Sequence, residues 1–276
     1  MRLATVRTGG GTRAARLEGD RLVLLAASDV GALLAAPDRD AALGSELGSD
    51  VAVAEAVFAP LVVRPEKIFC VGLNYRDHIL EMTRELPQYP TLFAKFASGL
   101  LGPFDDLVLP SVSDSVDWEV ELGVVIGQPA HRADNDEAAR SIGGFTVAND
   151  VSMRDWQLRT MQFLQGKAFD ATTPVGPFLV TGDEIDQAAD LELRCEVDGK
   201  VMQAARTSGL LFGPAEIVSY ISQFTTLRPG DLILTGTPGG VGMGRDPQVY
   251  LAGGQLLTTT VEGIGSCVNR CVAEPA

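Results

Sequence analysis

The feature that most constrains this chain is how its second half is cut up: short apolar stretches separated by glycine and proline turns. Gly176-Pro177-Phe178-Leu179-Val180, Leu191 to Val197, Leu232-Ile233-Leu234 and Thr258-Thr259-Thr260-Val261 all read as strands bounded by turn residues. One segment, Pro214 to Phe224, instead spaces Ile217, Tyr220, Ile221 and Phe224 by three and four and predicts a helix. Strands that do not alternate with helices cannot build a doubly wound nucleotide fold. The pattern predicts a β-rich α+β domain, with no fixed-period repeat and no low-complexity tract.

The first 60 residues differ in character. Leu3-Ala4-Thr5-Val6, Ala14-Ala15-Arg16-Leu17 and Leu22-Val23-Leu24-Leu25 read as strands, with Glu18-Gly19-Asp20 as a turn. Ser28 or Asp29 caps a helix that begins near Val30. Asp40 to Leu43 and the alanine-rich stretch 52 to 59 continue in a helical or irregular manner, and Pro60 and Pro65 punctuate the end. The expected division is a small β-rich N-terminal domain over 1–62 and a larger domain over 63–276. In the latter, Lys67 to Gly72 reads as a strand and Tyr75 to Leu86 as a helix.

A formal net charge of −14 argues against nucleic acid or an anionic membrane as partner. It leaves room for a small anionic substrate, because a metal and a few local cations can dominate a pocket. No apolar run is long enough to span a bilayer, and Met1 to Arg7 alternates like a strand rather than a signal peptide. Four scattered cysteines, 70, 195, 267 and 271, build no disulfide framework, and the Cys267/Cys271 pair lacks companions for zinc. The expectation is a reduced, cytoplasmic protein.

Within that frame, Asp117-Trp118-Glu119-Val120-Glu121 places carboxylates two apart in an apolar run. Strand side chains alternate faces, so Glu119 and Glu121 point the same way, where they repel and resist desolvation. Either this is a solvated edge strand or a cation removes the penalty, and hard cations take carboxylate oxygens. Asp150 favours the cation. It follows the strand-like Gly144 to Asn149 and opens a polar run with Ser152, Arg154, Asp155 and Gln157. Three convergent acids beside an arginine and an amide look like a metal site that grips an anion.

Three further constellations stand out. On a helix His78 and Glu81 share a face, as a general base and its orienting carboxylate would, or as a solvated pair. Lys167 enters what reads as a buried strand, either as an ion-pair partner or as a cation set against developing negative charge. The loop Thr235-Gly236-Thr237-Pro238-Gly239-Gly240 lacks the ending of a phosphate loop, yet its N–H groups and hydroxyls can bind a carboxylate; otherwise it is a tight turn.

Taken together, these blocks resemble the fumarylacetoacetate hydrolase superfamily. The matching stretches are Gly72-Leu73-Asn74-Tyr75 with His78 and Glu81, Glu119-x-Glu121, and Asn149-Asp150-Val151-Ser152-x-Arg154-Asp155-x-Gln157. They continue with Gln165-Gly166-Lys167-x-Phe169-Asp170 and Pro229-Gly230-Asp231-x-Ile233-x-Thr235-Gly236-Thr237-Pro238. The resemblance implies a mixed β-sandwich roll, usually dimeric, and looks nearest to the acylpyruvate hydrolase and oxaloacetate decarboxylase branch. By the same resemblance Glu119, Glu121 and Asp150 hold Mg²⁺ or Mn²⁺ (Ca²⁺ in crystals). His78 and Glu81 form a dyad on a lid, and Lys167 stabilises charge. Arg154, Gln157 and Thr237 bind the substrate. Where longer relatives place a further acid before the histidine, this chain has Cys70, Val71 and Gly72.

The expected activity is metal-dependent C–C hydrolysis of a 2,4-dioxo acid through a pyruvate enolate, with oxaloacetate decarboxylation as a second use of the same site. Isomerisation or hydration of a 2-hydroxy-dienoate, or a catalytically silent ligand-binding role, are the alternatives.

Overall fold

The computed structural model describes residues 1–76 and 85–275. Its spine is a large sheet in which Val120–Ile126 pairs antiparallel with Ile142–Asn149 on one side and Leu232–Leu234 on the other. Beyond Leu232–Leu234 lie Ile68–Gly72, in a parallel pairing, and then Thr91–Lys95 at the edge. A second sheet runs in the order Lys200–Arg206, Glu192–Val197, Leu256–Val261, Gly265–Ala273, Leu107–Leu109. The β-rich α+β expectation holds, and the roll is a mixed sandwich.

Period-two alternation explains how the sheets pack. Val120, Leu122, Val124 and Ile126 enter one buried cluster with Leu193, Cys195, Val197, Leu257, Val261 and Cys267 of the second sheet. Val125 turns to the opposite face and joins Leu33, Leu61, Cys70, Leu232 and Leu234. Val120–Ile126 is therefore buried on both faces, and a charge on either must be compensated. Glu121 is the second residue of this strand.

Residues 1–62 carry the expected strands but do not form a separate sheet. Arg2–Thr8 pairs antiparallel with Thr173–Val180, with Leu3 opposite Leu179, so the N-terminal meander extends the large sheet. Asp29 caps the helix Val30–Leu34, accepting from Ala32 N at 2.7 Å. Glu46–Ala52, which falls between the stretches 40–43 and 52–59 read as helical or irregular, is an edge strand whose first five residues are exposed. Such a strand has no apolar alternation to reveal it. The expected helix from Pro214 forms over Pro214–Ser222 and buries Ile217, Val218 and Ile221, whereas Phe224 lies past its end and is exposed.

Candidate active site

Where Val120–Ile126 begins, Glu119, Glu121 and Asp150 bring carboxylate oxygens within 4.8 Å of one another, all three residues buried. The two glutamates converge because they are two apart along the strand. Asp150 reaches them because its strand is the neighbour, with Val120 opposite Asn149 and Asp150 N donating to Glu119 O at 2.9 Å. Asn149 fixes the entry: its Oδ1 accepts from Glu119 N at 2.9 Å and its Nδ2 donates to Thr259 Oγ1 at 2.9 Å.

Lys167 does not lie on a strand. It ends the one-turn helix Leu164–Lys167, which turns its ammonium into the triad, 2.6 Å from Glu119 Oε2 and 2.7 Å from Asp150 Oδ2. Arg154 opens another one-turn helix, Arg154–Gln157, and is committed to the protein on three sides. Its Nε donates to Asp117 Oδ2 at 2.8 Å, its Nη1 to Gln157 Oε1 at 2.9 Å, and its Nη2 lies 2.7 Å from Glu119 Oε1. A guanidinium has five N–H donors, and those on Nη2 have no hydrogen-bond partner among the described residues despite the nearby Glu119 charge. Thr237 Oγ1 donates to Val120 O at 3.0 Å and accepts from Gln203 Nε2 at 2.8 Å.

The glycine-rich loop does bind a carboxylate, but the protein's own: Gly236 N donates to Glu121 Oε2 at 2.6 Å. Gly236 has φ +105°, and a Cβ there would stand 2.9 Å from both Asn74 Cβ and Val71 O. Only glycine fits. Asn74, from the Gly72-Leu73-Asn74-Tyr75 block, ties that loop down by donating to Thr235 O at 2.7 Å and to Phe212 O at 3.0 Å.

These residues floor a cavity of about 250 Å³ lined by Glu119, Glu121, Arg154, Gln157, Lys167 and Thr237. Its walls are Phe93, Leu158, Phe163, Val241 and Met243. That is below the ~300–1,000 Å³ usual for drug-sized ligands and suits a small acid. His78 and Glu81 lie outside the described residues, as does most of the expected helix Tyr75 to Leu86.

Two participants escaped the sequence. Lys95, the last residue of the edge strand Thr91–Lys95, is buried and donates from Nζ to Asp150 Oδ1. A lone lysine in Leu92-Phe93-Ala94-Lys95 was its signal. Asp117 accepts from Gly242 N at 2.7 Å and from Met243 N at 3.0 Å while holding Arg154, so it ties one wall of the cavity to its floor. Only its place beside Glu119 hinted at this.

The electrostatics follow from burial and these pairings. Burial pushes the Glu121 carboxyl well above the usual range, and the charges of Asp150 and Glu119 push it further. Burial acts on Asp150 in the same sense, but the ammonium groups of Lys167 and Lys95 outweigh it and hold this carboxyl low. Lys167 is destabilised as a cation by burial, yet Asp150 and Glu119 more than restore it. Among the described residues no cation pairs with Glu121. An oxygen-only donor set with one uncompensated acid fits a hard divalent cation such as Mg²⁺ or Mn²⁺, and Glu119, Glu121 and Asp150 are the residues that would hold it.

Residues 67–272 match the family described as fumarylacetoacetate (FAA) hydrolase C-terminal. Over 220 residues the chain is 46% identical to a mitochondrial oxaloacetate tautomerase of Bos taurus, covering 79% of this chain and 70% of that one. Identity to the corresponding mitochondrial protein of Homo sapiens is 45%, over the same shares of the two chains. Among solved structures, the 5-carboxymethyl-2-hydroxymuconate delta-isomerase of Mycobacterium smegmatis superposes with a TM-score of 0.84 at 34% identity, covering 99% of this chain and 100% of that one. These relatives correct the cytoplasmic expectation, since the bovine and human proteins are mitochondrial by name. Acidic composition and buried free thiols suit either compartment, so the residues held no signal that could have separated them. The triad, its lysine and the sandwich around them agree with the match: the chain belongs to the fumarylacetoacetate hydrolase family.

Proposed function

We propose that this protein interconverts the keto and enol forms of a small 2-oxo acid bearing a second carboxylate or oxo group, with oxaloacetate as the type substrate. The observation that carries the reading is the Lys167 ammonium, set across Glu119 and Asp150 on the floor of the small cavity. Enolisation of a 2-oxo acid moves a proton from C3 and builds negative charge on the 2-oxo oxygen. A fixed ammonium in a water-poor site stabilises that charge with no reorganisation. The Arg154 guanidinium and the Gln157 amide, both on the cavity lining, are assigned the substrate carboxylate. Thr237 lines the cavity beside them with its hydroxyl proton held by Val120 O, and Phe93, Phe163 and Met243 exclude water. His78, oriented by Glu81, is assigned the C3 proton on its sequence pattern. Glu119, Glu121 and Asp150 would hold a divalent cation, which would supply Lewis acidity when bound.

Support comes from two directions. The mitochondrial relatives are oxaloacetate tautomerases by name, and the Mycobacterium smegmatis neighbour is an isomerase of a hydroxymuconate. Both names describe movement of a proton along an enol system without loss of a carbon fragment. Hydrolysis of an acylpyruvate and decarboxylation of oxaloacetate pass through a related enolate, so both are measured alongside. The test mixes enol-oxaloacetate with the protein and Mg²⁺ and follows decay of the enol absorbance, together with pyruvate release from oxaloacetate and loss of acetylpyruvate. Accelerated enol decay that EDTA abolishes is the expected result. Acetylpyruvate cleavage without accelerated enol decay would return the reading to a C–C hydrolase.

A further inference from the structure

The three acids divide their oxygens in one pattern. Glu119 Oε1 faces Arg154 Nη2, Glu121 Oε2 accepts the Gly236 N–H, and Asp150 Oδ1 accepts Lys95 Nζ. One oxygen of each acid is thus committed to a donor on a different part of the chain. The other oxygens of Glu119 and Asp150 meet on Lys167. Lys95 and Asp150 have side-chain exposures of 0% and 0%, so this ion pair carries its full desolvation cost. The reading proposed above gives Lys95 no task, because the ammonium is spent on the back of Asp150.

We infer that Lys95 is a positioning residue whose charge sets how strongly the triad holds a divalent cation. Among the described residues, and with all its acids ionised, the buried cluster carries four negative charges, on Asp117, Glu119, Glu121 and Asp150. Against them stand three positive charges, on Lys95, Lys167 and Arg154. One negative charge is left over. Without Lys95 there would be two, on a site that water screens poorly, and a divalent cation would be held more tightly. Lys95 keeps the hold weak enough for the ion to exchange, and it keeps the acids together before the ion arrives. This rests on reading Glu119, Glu121 and Asp150 as a divalent-cation site.

The test is titration of chelator-treated protein with Mn²⁺ by calorimetry, in the parent and in Lys95→Met and Lys95→Gln. Methionine removes both charge and donor, whereas glutamine removes the charge but keeps an N–H for Asp150. Both variants should bind Mn²⁺ about tenfold more tightly or better, because the Coulomb term at short range in a poorly screened site is large. Both should also melt at lower temperature than the parent in EDTA and recover when saturated with Mn²⁺. The inference is overturned if glutamine matches the parent while methionine binds more weakly, since Lys95 would then act through hydrogen-bond geometry alone. Unchanged affinity in both variants overturns it equally, and if the methionine variant does not fold, the glutamine variant decides. A parent that binds no Mn²⁺ removes the metal reading and this inference together. A parent that binds while the variants bind no tighter removes the inference alone.

Discussion

Gly166→Ala is the substitution for which the structure predicts most from least change. Gly166 lies where the one-turn helix Leu164–Lys167 crosses the one-turn helix Arg154–Gln157. A Cβ there would stand 2.5 Å from Gln157 N and 2.6 Å from Gln157 Cα. Contacts between such atoms are comfortable at about 3.5–4.0 Å, so the crossing must open by about 1 Å. The obstacle is backbone, which cannot swing aside as a side chain would. Lys167 follows Gly166 directly, and Gln157 accepts from Arg154 at 2.9 Å, so the separation lands on both halves of the site. A misplacement of about 1 Å can cost roughly 10²-fold in kcat/KM. Overpacking of this kind costs about 1–3 kcal/mol, which lowers Tm by roughly 2–12 °C in a chain of this size. Enol decay kinetics and thermal melting measure the two effects, with Gly10→Ala as the control, since a Cβ at Gly10 meets nothing within 4 Å. A Gly166→Ala protein with the parent's kcat/KM and Tm would refute the claim that this crossing positions Lys167.

Asp117→Asn should destabilise the protein by about 1–3 kcal/mol, because it removes one of the two carboxylates, Asp117 and Glu119, that answer the buried guanidinium of Arg154. It should also raise KM more than it lowers kcat, since Met243 and Arg154 lose one common anchor; an unchanged KM would remove Asp117 from the site. His78→Ala should slow enolisation by roughly 10²–10⁴-fold while leaving Mn²⁺ affinity at the parent value. A parallel loss of metal binding would show that His78 serves the triad rather than proton transfer. The four cysteines are buried and free, with burial pushing the Cys271 thiol up to about 12 and the others up as well. A thiol reagent at neutral pH should therefore find none of them in the folded protein and all four in guanidinium; rapid reaction of any one in the folded state would contradict that burial.

Much of the architecture was legible because it repeats locally. Period-two alternation and glycine-proline turns marked the strands, and Asp29 and Pro214 marked helix starts. Glu46–Ala52 was missed because an exposed edge strand satisfies no face and so shows no pattern. Lys167 was expected on a strand, since four residues of helix, Leu164–Lys167, are too few to display a period of 3.6. The pairing of Glu119 with Glu121 needed only the geometry of one strand, and Asp150 followed from an apolar run that ends in acid.

What sequence alone determined, then, was the set of chemical groups that lie close along the chain and the periodicities that bury them. Tertiary structure decided which distant groups answer each charge. Lys95 meets Asp150 from 55 positions away, Gly236 meets Glu121 from 115, and Gly242 meets Asp117 from 125. Each buried carboxylate must find a donor, but the requirement says nothing about where in the chain that donor lies. Sheet order settles it: Leu232–Leu234 runs antiparallel beside Val120–Ile126, so the loop that follows it is brought to the triad's end of the sheet, whereas Lys95, level with Ile68 at the far end of its strand pairing, reaches Asp150 through the length of its side chain. Long-range strand pairing is what local pattern cannot specify, and here it also distributes the cations that govern the site.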